Sequence, residues 1–296
     1  TDGVNAYINQ LDPMNYPVEY KLLDYSPEKW TPKKSALLLM YMTKMLAGRD
    51  DDLEYTNVLR LIGMDNFNLL YPDFFDSVDP VIPKQTDWSF IDKPQTSVPL
   101  NYAVLDTITE TIEKPNPDNG SNNWAISGAK SITGNPILAN DPHLGLNLPS
   151  IWMMMQLCSP THNVMGATIP GALSIISGFN QNIAWGETNA TRDVIDWYKI
   201  EFNHDRTKYL YDDSWKDVKN RLEEIKIRGG ETIIDTVLFT HHGPVVYDKN
   251  FKSNNQRSGY AMRWIDHEGG NHQRTFIELN KAKNYYDYVN ALKYWD

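Results

Sequence analysis

Cysteine is nearly absent from this chain: Cys158 stands alone in 296 residues, so no internal disulfide framework holds the fold together. No apolar run reaches the roughly 18 residues that a membrane-spanning helix requires. The most apolar stretch, SALLLMYMTKML (35–46), is interrupted by Lys44. Basic residues are in deficit. The 28 Lys and Arg against 38 Asp and Glu leave a formal charge of −10, which argues against nucleic acid or an anionic membrane as a partner, since both are polyanions. Internal repeats and low-complexity tracts are missing too. The start, TDGVNAYINQ, has no initiator Met and no signal-peptide pattern. The last residues, NALKYWD, stop inside a helical pattern without a capping signal, so the expectation is an interior piece of a longer protein. With no disulfides to read, the compartment stays open at this level.

What is present is ordinary for a globular protein. Hydrophobic residues make up 41% and charged residues 22%, and the length suits one large domain or two ordinary ones. Residues 31–48 read as a helix, with Thr31 as cap, Pro32 in the first turn and Gly48 after the last periodic position. RDDDLEYTNVLRLIG (49–63) has an acidic start and then Val58, Leu59, Leu61 and Ile62, the pattern of a second helix whose N-terminal dipole favours acids. Residues 72–120 are proline-rich and read as an extended connection. After Gly120 the texture changes. NWAISG, PILAND, SIISGF and NIAWGET are short strand candidates, VIDWYKIEF (194–202) alternates as a half-buried strand, and IKIRGGETIIDTVLFTHHGPVVYD reads as a hairpin turning at Gly229-Gly230. The tail from His272 returns to helical spacing. Helices, then loops, then strands with returning helices predict an α+β fold.

The most informative stretch is PNPDNGSNNWAISGAK (115–130), a polar turn that runs into a strand. Ser121 there is either a turn serine or a nucleophile exposed by cleavage after Gly120. GSNNWAISG resembles the processing junction of the penicillin acylase family within the N-terminal-nucleophile hydrolases. The resemblance continues in order through DPHLGLNLPSIW (141–152), PGALSIISGFNQNIAWGETNATRDVID (170–196) and HGPVV (242–246), and more loosely through EYKLLDYSPEKWTP upstream. It implies the four-layer αββα fold. It also implies a division at the junction, with residues 1–120 as the end of a small subunit and its linker and 121–296 as the start of a large one. The other subunit of the same precursor becomes a partner, and the substrate a small acylated amide such as a β-lactam or an N-acyl-homoserine lactone. Family habit implies export to a bacterial periplasm.

The chemistry also stands by itself. A serine hydroxyl needs an adjacent base, and an α-amino group, which titrates near ~8, supplies one if Ser121 becomes an N-terminus. Gly120 allows the strained backbone and open carbonyl that an attack by Ser121 requires. By resemblance His143 sits beside the nucleophile and hydrogen-bonds to it, and the Asn189 backbone N–H is one oxyanion donor. Asp193, Asp196 and the Ile195 carbonyl, with Glu54 upstream, match the Ca²⁺ ligands of calcium-binding members. Leu144, Ile176, Ser177 and Trp185 are candidates for an apolar acyl pocket. Glu187 either binds a cationic part of a substrate or faces solvent.

Other features carry less. His241 and His242 read as structural, on opposite faces of a strand. His267 and His272 read as loop residues, Met153-Met154-Met155 as core filler, and Cys158 has no motif around it. A different class of function also fits the composition: 9 Trp and 17 Tyr suit an aromatic-rich module that binds glycans or peptides without catalysis.

Overall fold

The computed structural model describes residues 1–72, 77, 85–87, 89, 113–190, 192–248 and 258–295. In chain order the helices and first strands are α1 (Asp2–Ile8), α2 (Val18–Leu23), α3 (Pro32–Ala47), α4 (Asp52–Leu70), β1 (Gly120–Ile126) and β2 (Ile137–His143). Next come β3 (Met153–Ser159), β4 (His162–Thr168), β5 (Ser177–Asn180), β6 (Ala184–Trp185), β7 (Ile195–Glu201), β8 (Lys208–Tyr211) and β9 (Ser214–Asp217). The chain continues with β10 (Lys219–Ile225), β11 (Ile233–Thr240), β12 (Gly243–Tyr247), β13 (Ser258–Trp264), α5 (His272–Leu279) and α6 (Tyr285–Leu292). The registers of β1–β2, β3 to β6, β8–β9 and β10 to β13 are antiparallel, and the helices flank them in sequence, which makes the fold α+β as predicted.

Two compact units form. The first comprises Thr1–Arg49, Glu113–Ile195 and Trp264–Asp296; the second comprises Asp50–Ile112 and Asp196–Arg263. Segments from both sides of Gly120–Ser121 therefore build the first unit. Its strands are the β1–β2 pair and the sheet β3-β4-β5-β6. Its core gathers Val164, Ile175, Trp185, Phe276, Leu279 and Ala291, with Leu39 of α3 packed against it. Burying the Val, Ile, Phe and Leu side chains among these contributes roughly 1.5–3 kcal/mol each. The EKWTP motif now has a structural reason. Asn5 clamps both backbone groups of Trp30, giving its Nδ2–H to the Trp30 carbonyl (2.9 Å) and accepting the Trp30 N–H (2.8 Å). Ser35 in turn accepts from the Trp30 indole (3.1 Å) and donates to the Gly171 carbonyl (2.7 Å). A Cβ at Gly171 would stand 2.7 Å from the Trp30 ring, and its φ of +99° already excludes most side chains.

The second unit holds the five-stranded sheet β10-β11-β12-β13-β7 and the β8–β9 hairpin. Leu53 of α4 packs with Tyr247 and Tyr260, and Trp197 donates its indole N–H to Asp50 at 2.8 Å.

Most sequence expectations are met, with differences that have clear causes. Helix α3 matches 31–48, though Thr31 makes no side-chain cap bond. The second helix runs past Gly63, which kinks it at φ 76°, and ends at Leu70. The extended connection expected at 72–120 falls mostly outside the described residues. The β3–β4 hairpin was not foreseen. It places Met153 (40% exposed) and Met154 (74%) on an edge strand rather than in the core, and only Met155 packs inward. His241 and His242 are the two turn residues between Thr240 and Gly243, so their rings meet at 3.8 Å instead of pointing to opposite faces. His272 opens α5, partly buried beside Asp266 at 3.4 Å, not in a surface loop. Cys158 is exposed and unpaired by disulfide.

Candidate active site

The polar turn before the junction forms as its residues dictate: Asn116 accepts the Asp118 N–H on its side chain (3.0 Å) and the Asn119 N–H on its carbonyl (3.1 Å). Strand β1 follows at once. Gly120 pairs with His143 and Ser121 with Pro142 across the ladder. Pro142 has no N–H to give, so the ladder takes no donor from β2 at the residue facing Ser121. Gly120 and Ser121 are half-buried, and the rest of β1 is exposed.

The Asn189 backbone N–H points at Ser121 Oγ, 3.4 Å away. That is longer than an ordinary hydrogen bond. The C-terminal end of α3 supports both sides of this contact. The Leu46 carbonyl accepts from Asn189 Nδ2 (2.6 Å) and the Met45 carbonyl from Asn119 Nδ2 (3.4 Å). These are two of the carbonyls that a helix end leaves without an intrahelical partner. Gly48 completes the end, because a Cβ there would stand 2.3 Å from the Lys44 carbonyl oxygen.

His143 lies beside the junction, but its hydrogen bond differs from expectation. Its Nε2 pairs with Asp141 Oδ2 at 2.9 Å rather than with Ser121. A carboxylate only accepts, so with Asp141 ionised Nε2 is the donor of this bond, and in the neutral ring Nδ1 is then the acceptor. Nδ1 faces the junction, 3.9 Å from where a Cβ on Gly120 would stand. Both members of the pair are exposed, so the bond fixes orientation more than it stabilises the fold.

The acyl-pocket candidates separate. Leu144 is half-buried after β2. Ile176 packs against the core and helps line a small apolar cavity with Leu38, Leu39, Met42 and Phe276. Ser177 opens β5 with its hydroxyl on Asn140 Oδ1 at 2.9 Å. Trp185 is a core residue, 3% exposed, and its indole donates to the Ile176 carbonyl at 2.7 Å. Glu187 reaches solvent, yet the surrounding protein withdraws enough water to push its carboxyl up to about 8; hydrogen bonds, Ser177's among them, oppose the shift.

The expected calcium ligands divide between the two units: Asp193 and Ile195 belong to the first, Glu54 and Asp196 to the second. Among the described residues no group of three or more His, Cys, Asp or Glu stands together as a metal cluster. The donor chemistry still suits a hard cation, since every candidate donor is an oxygen and Glu54 Oε2 is shut off from solvent.

Sequence reasoning missed Asn140 and Asp141. A signal existed for Asn140, because Asn is disfavoured inside a strand and here it is the fifth residue of the strand candidate PILAND.

Comparison with known proteins gives the family. Acyl-homoserine lactone acylase QuiP of Pseudomonas aeruginosa is 28% identical over 299 residues, covering 95% of this chain and 34% of the relative. Penicillin acylase 2 proenzyme of Pseudomonas sp. strain SE83 is 27% identical over 253 residues, 82% of this chain and 31% of the relative. The chain thus spans about a third of the length of these curated relatives. Among solved structures, the thermostable penicillin G acylase from Alcaligenes faecalis matches with a TM-score of 0.51 and 25% identity, over 57% of this chain and 30% of that one. That likeness supports the N-terminal-nucleophile hydrolase fold. The penicillin amidase family profile matches residues 1–296. With the Gly-Ser junction on β1, the N–H aimed at its serine and a profile that spans every residue, the chain belongs to the penicillin amidase family.

Proposed function

We propose that the protein is a self-processing acylase that hydrolyses a linear amide through an ester on Ser121. The observation that carries this reading is the Asn189 N–H directed at Ser121 Oγ, the residue that follows Gly120. The names of the relatives, acyl-homoserine lactone acylase and penicillin acylase, support an acylated amine as substrate.

In the intact chain the nitrogen of Ser121 is the Gly120 amide and has no basicity to offer. Maturation comes first. Ser121 Oγ attacks the Gly120 carbonyl carbon, the C–N bond breaks, the nitrogen takes a proton, and water hydrolyses the resulting ester to leave a Gly120 carboxylate. His143, held by Asp141 with Nδ1 toward Gly120, orients the junction and offers a proton acceptor beside it. The freed α-amine then serves as base. It takes the Oγ proton as Oγ attacks the substrate carbonyl, and the Asn189 N–H helps hold the oxyanion. The protonated amine leaves, and water releases the carboxylic acid. Leu144, Ile176 and Ser177 are proposed to face the acyl group. Glu187 is mostly protonated below about 8, so in neutral solution it acts more as a hydrogen-bond donor than as a fixed negative charge.

Ca²⁺ belongs to the same proposal, bound by Asp193, Asp196, the Ile195 carbonyl and Glu54; when bound it offsets the repulsion among these oxygens. Export to a bacterial periplasm rests on the family resemblance alone. The experiment for the chemistry is acid-quenched intact mass spectrometry during turnover of a chromogenic acyl amide. The expected species is a chain beginning at Ser121 that carries the acyl mass. Turnover with no such adduct under burst conditions, and no burst of amine, contradicts an acyl-Ser121 mechanism.

A further inference from the structure

The segment 186–189 carries the oxyanion N–H, yet no strand ladder holds it. Side chains of the first unit take over that task. Asn123 Nδ2 donates to the Gly186 carbonyl at 2.8 Å. Asn140 Nδ2 donates to the Glu187 carbonyl at 2.7 Å and to the Asn122 carbonyl at 3.2 Å. Asn140 Oδ1 accepts the Ser177 hydroxyl at 2.9 Å. Carbonyl oxygens only accept, so the amide must turn its NH₂ toward both of them, and the serine donor then meets the remaining end. Asn140 therefore touches the residue after the nucleophile, the residue two before the oxyanion donor, and the first residue of β5. The approach is close: a Cβ on Gly186 would stand 2.6 Å from Asn140 Cβ and 2.8 Å from its Oδ1.

We infer that Asn140 is a positioning residue that sets the distance between Ser121 Oγ and the Asn189 N–H. It touches no reacting atom. The Ser121–Asn189 contact is long, at 3.4 Å, so its geometry depends on what fixes the two backbones. Displacements of ~1 Å at such a site cost about 100-fold in rate, and loss of one oxyanion donor costs ~10²–10³. The inference rests on the acylase reading and deepens it.

The test uses processed full-length protein and a chromogenic acyl amide. Asn140→Asp keeps the size and an acceptor for Ser177, but turns a carboxylate oxygen toward two carbonyl oxygens. At pH 8 its kcat should fall roughly 30- to 100-fold with KM within about threefold, since the donor acts on the transition state. As pH drops to 5.5 the carboxyl gains a proton and donates again, so the ratio of variant to wild-type kcat should climb several-fold. Gly186→Ala, which pushes Asn140 aside, should show the same kcat-weighted loss without recovery at low pH. A processed Asn140→Asp enzyme within twofold of wild type at pH 8 overturns the inference while leaving the acylase reading intact. So does a loss that is equal at both pH values, or variants that neither mature nor keep the wild-type melting temperature, because these assign Asn140 to stability. A wild-type protein that turns over no amide overturns the acylase reading and this inference together.

Discussion

At the scale of single residues, the site contrasts groups whose chemistry is written in a motif with groups whose role comes from where the fold puts them. Ser121 and Asn189 belong to the first kind: the family resemblance singled out both, 68 positions apart, and the fold brings the Asn189 N–H within 3.4 Å of Ser121 Oγ. Asn140 belongs to the second. Its partners lie 18, 37 and 47 residues away, and no local pattern announces such a hub. His143 was found, but not Asp141, because their bond depends on how the end of β2 presents two exposed side chains. The burial of Trp185 was not legible, because an aromatic beside a motif serves equally as wall or as core. Glu187 yields a prediction at this scale. Its folded pKa is raised from 4.5 to about 8, chiefly by desolvation. Below 4.5 both folded and unfolded states hold the proton. Above it the unfolded state ionises first, so the folded state loses stability as pH rises toward 8. Glu187→Gln should therefore melt above wild type at pH 8.5 and together with it at pH 4. The effect should be modest, since the side chain reaches water. Coincident melting curves at both values contradict the raised pKa.

At the scale of elements, strong local signals survived and weak ones did not. The Pro32 start and Gly48 end defined α3, and Gly229-Gly230 marked the loop between β10 and β11, with Gly229 at φ 72°. Helices α1 and α2 went unread because they are short, and the β3–β4 hairpin because its strands MMMQLCS and HNVMGAT lack clean alternation. The histidine pair shows how one turn changes an inference. Alternation on a strand separates neighbours, whereas a two-residue hairpin turn brings them together, with their rings tilted 41°. His242 lies flat on Tyr198 at 3.8 Å, and His241 Nδ1 pairs with the Tyr209 hydroxyl at 2.9 Å. Desolvation first, then the charges of His241, Arg263 and Lys216, depresses His242 from 6.5 to about 4. The unfolded chain takes up that proton below 6.5 and the folded hairpin only near 4, so stability drains away as pH falls through this window. His242→Asn should lose less melting temperature than wild type between pH 7 and pH 4. An equal loss in both proteins contradicts the assignment.

At the scale of the whole molecule, the proposed cut after Gly120 and the division into compact units do not coincide. A cut between Gly120 and Ser121 leaves 1–49 and 113–120 on one polypeptide and 121–195 and 264–296 on the other, all within the first unit. Leu39 in the core, Ser35 on Gly171 and Leu46 on Asn189 then bind the products noncovalently. Calcium is the second feature at this scale. Chelation of the full-length protein should lower its melting temperature, as loss of any ligand specific to the native state must. Asp193→Asn/Asp196→Asn should abolish that dependence. A melt indifferent to chelator, with no calcium found by elemental analysis, contradicts the proposal. The central claim is that Ser121 is made into a nucleophile by cutting the bond before it. N-terminal sequencing and intact mass of every polypeptide in the full-length preparation test it most directly. The account predicts two chains, one ending at Gly120 and one beginning Ser-Asn-Asn-Trp, and a single uncut chain for Ser121→Ala. A wild-type protein that stays in one piece while it hydrolyses amides would contradict it.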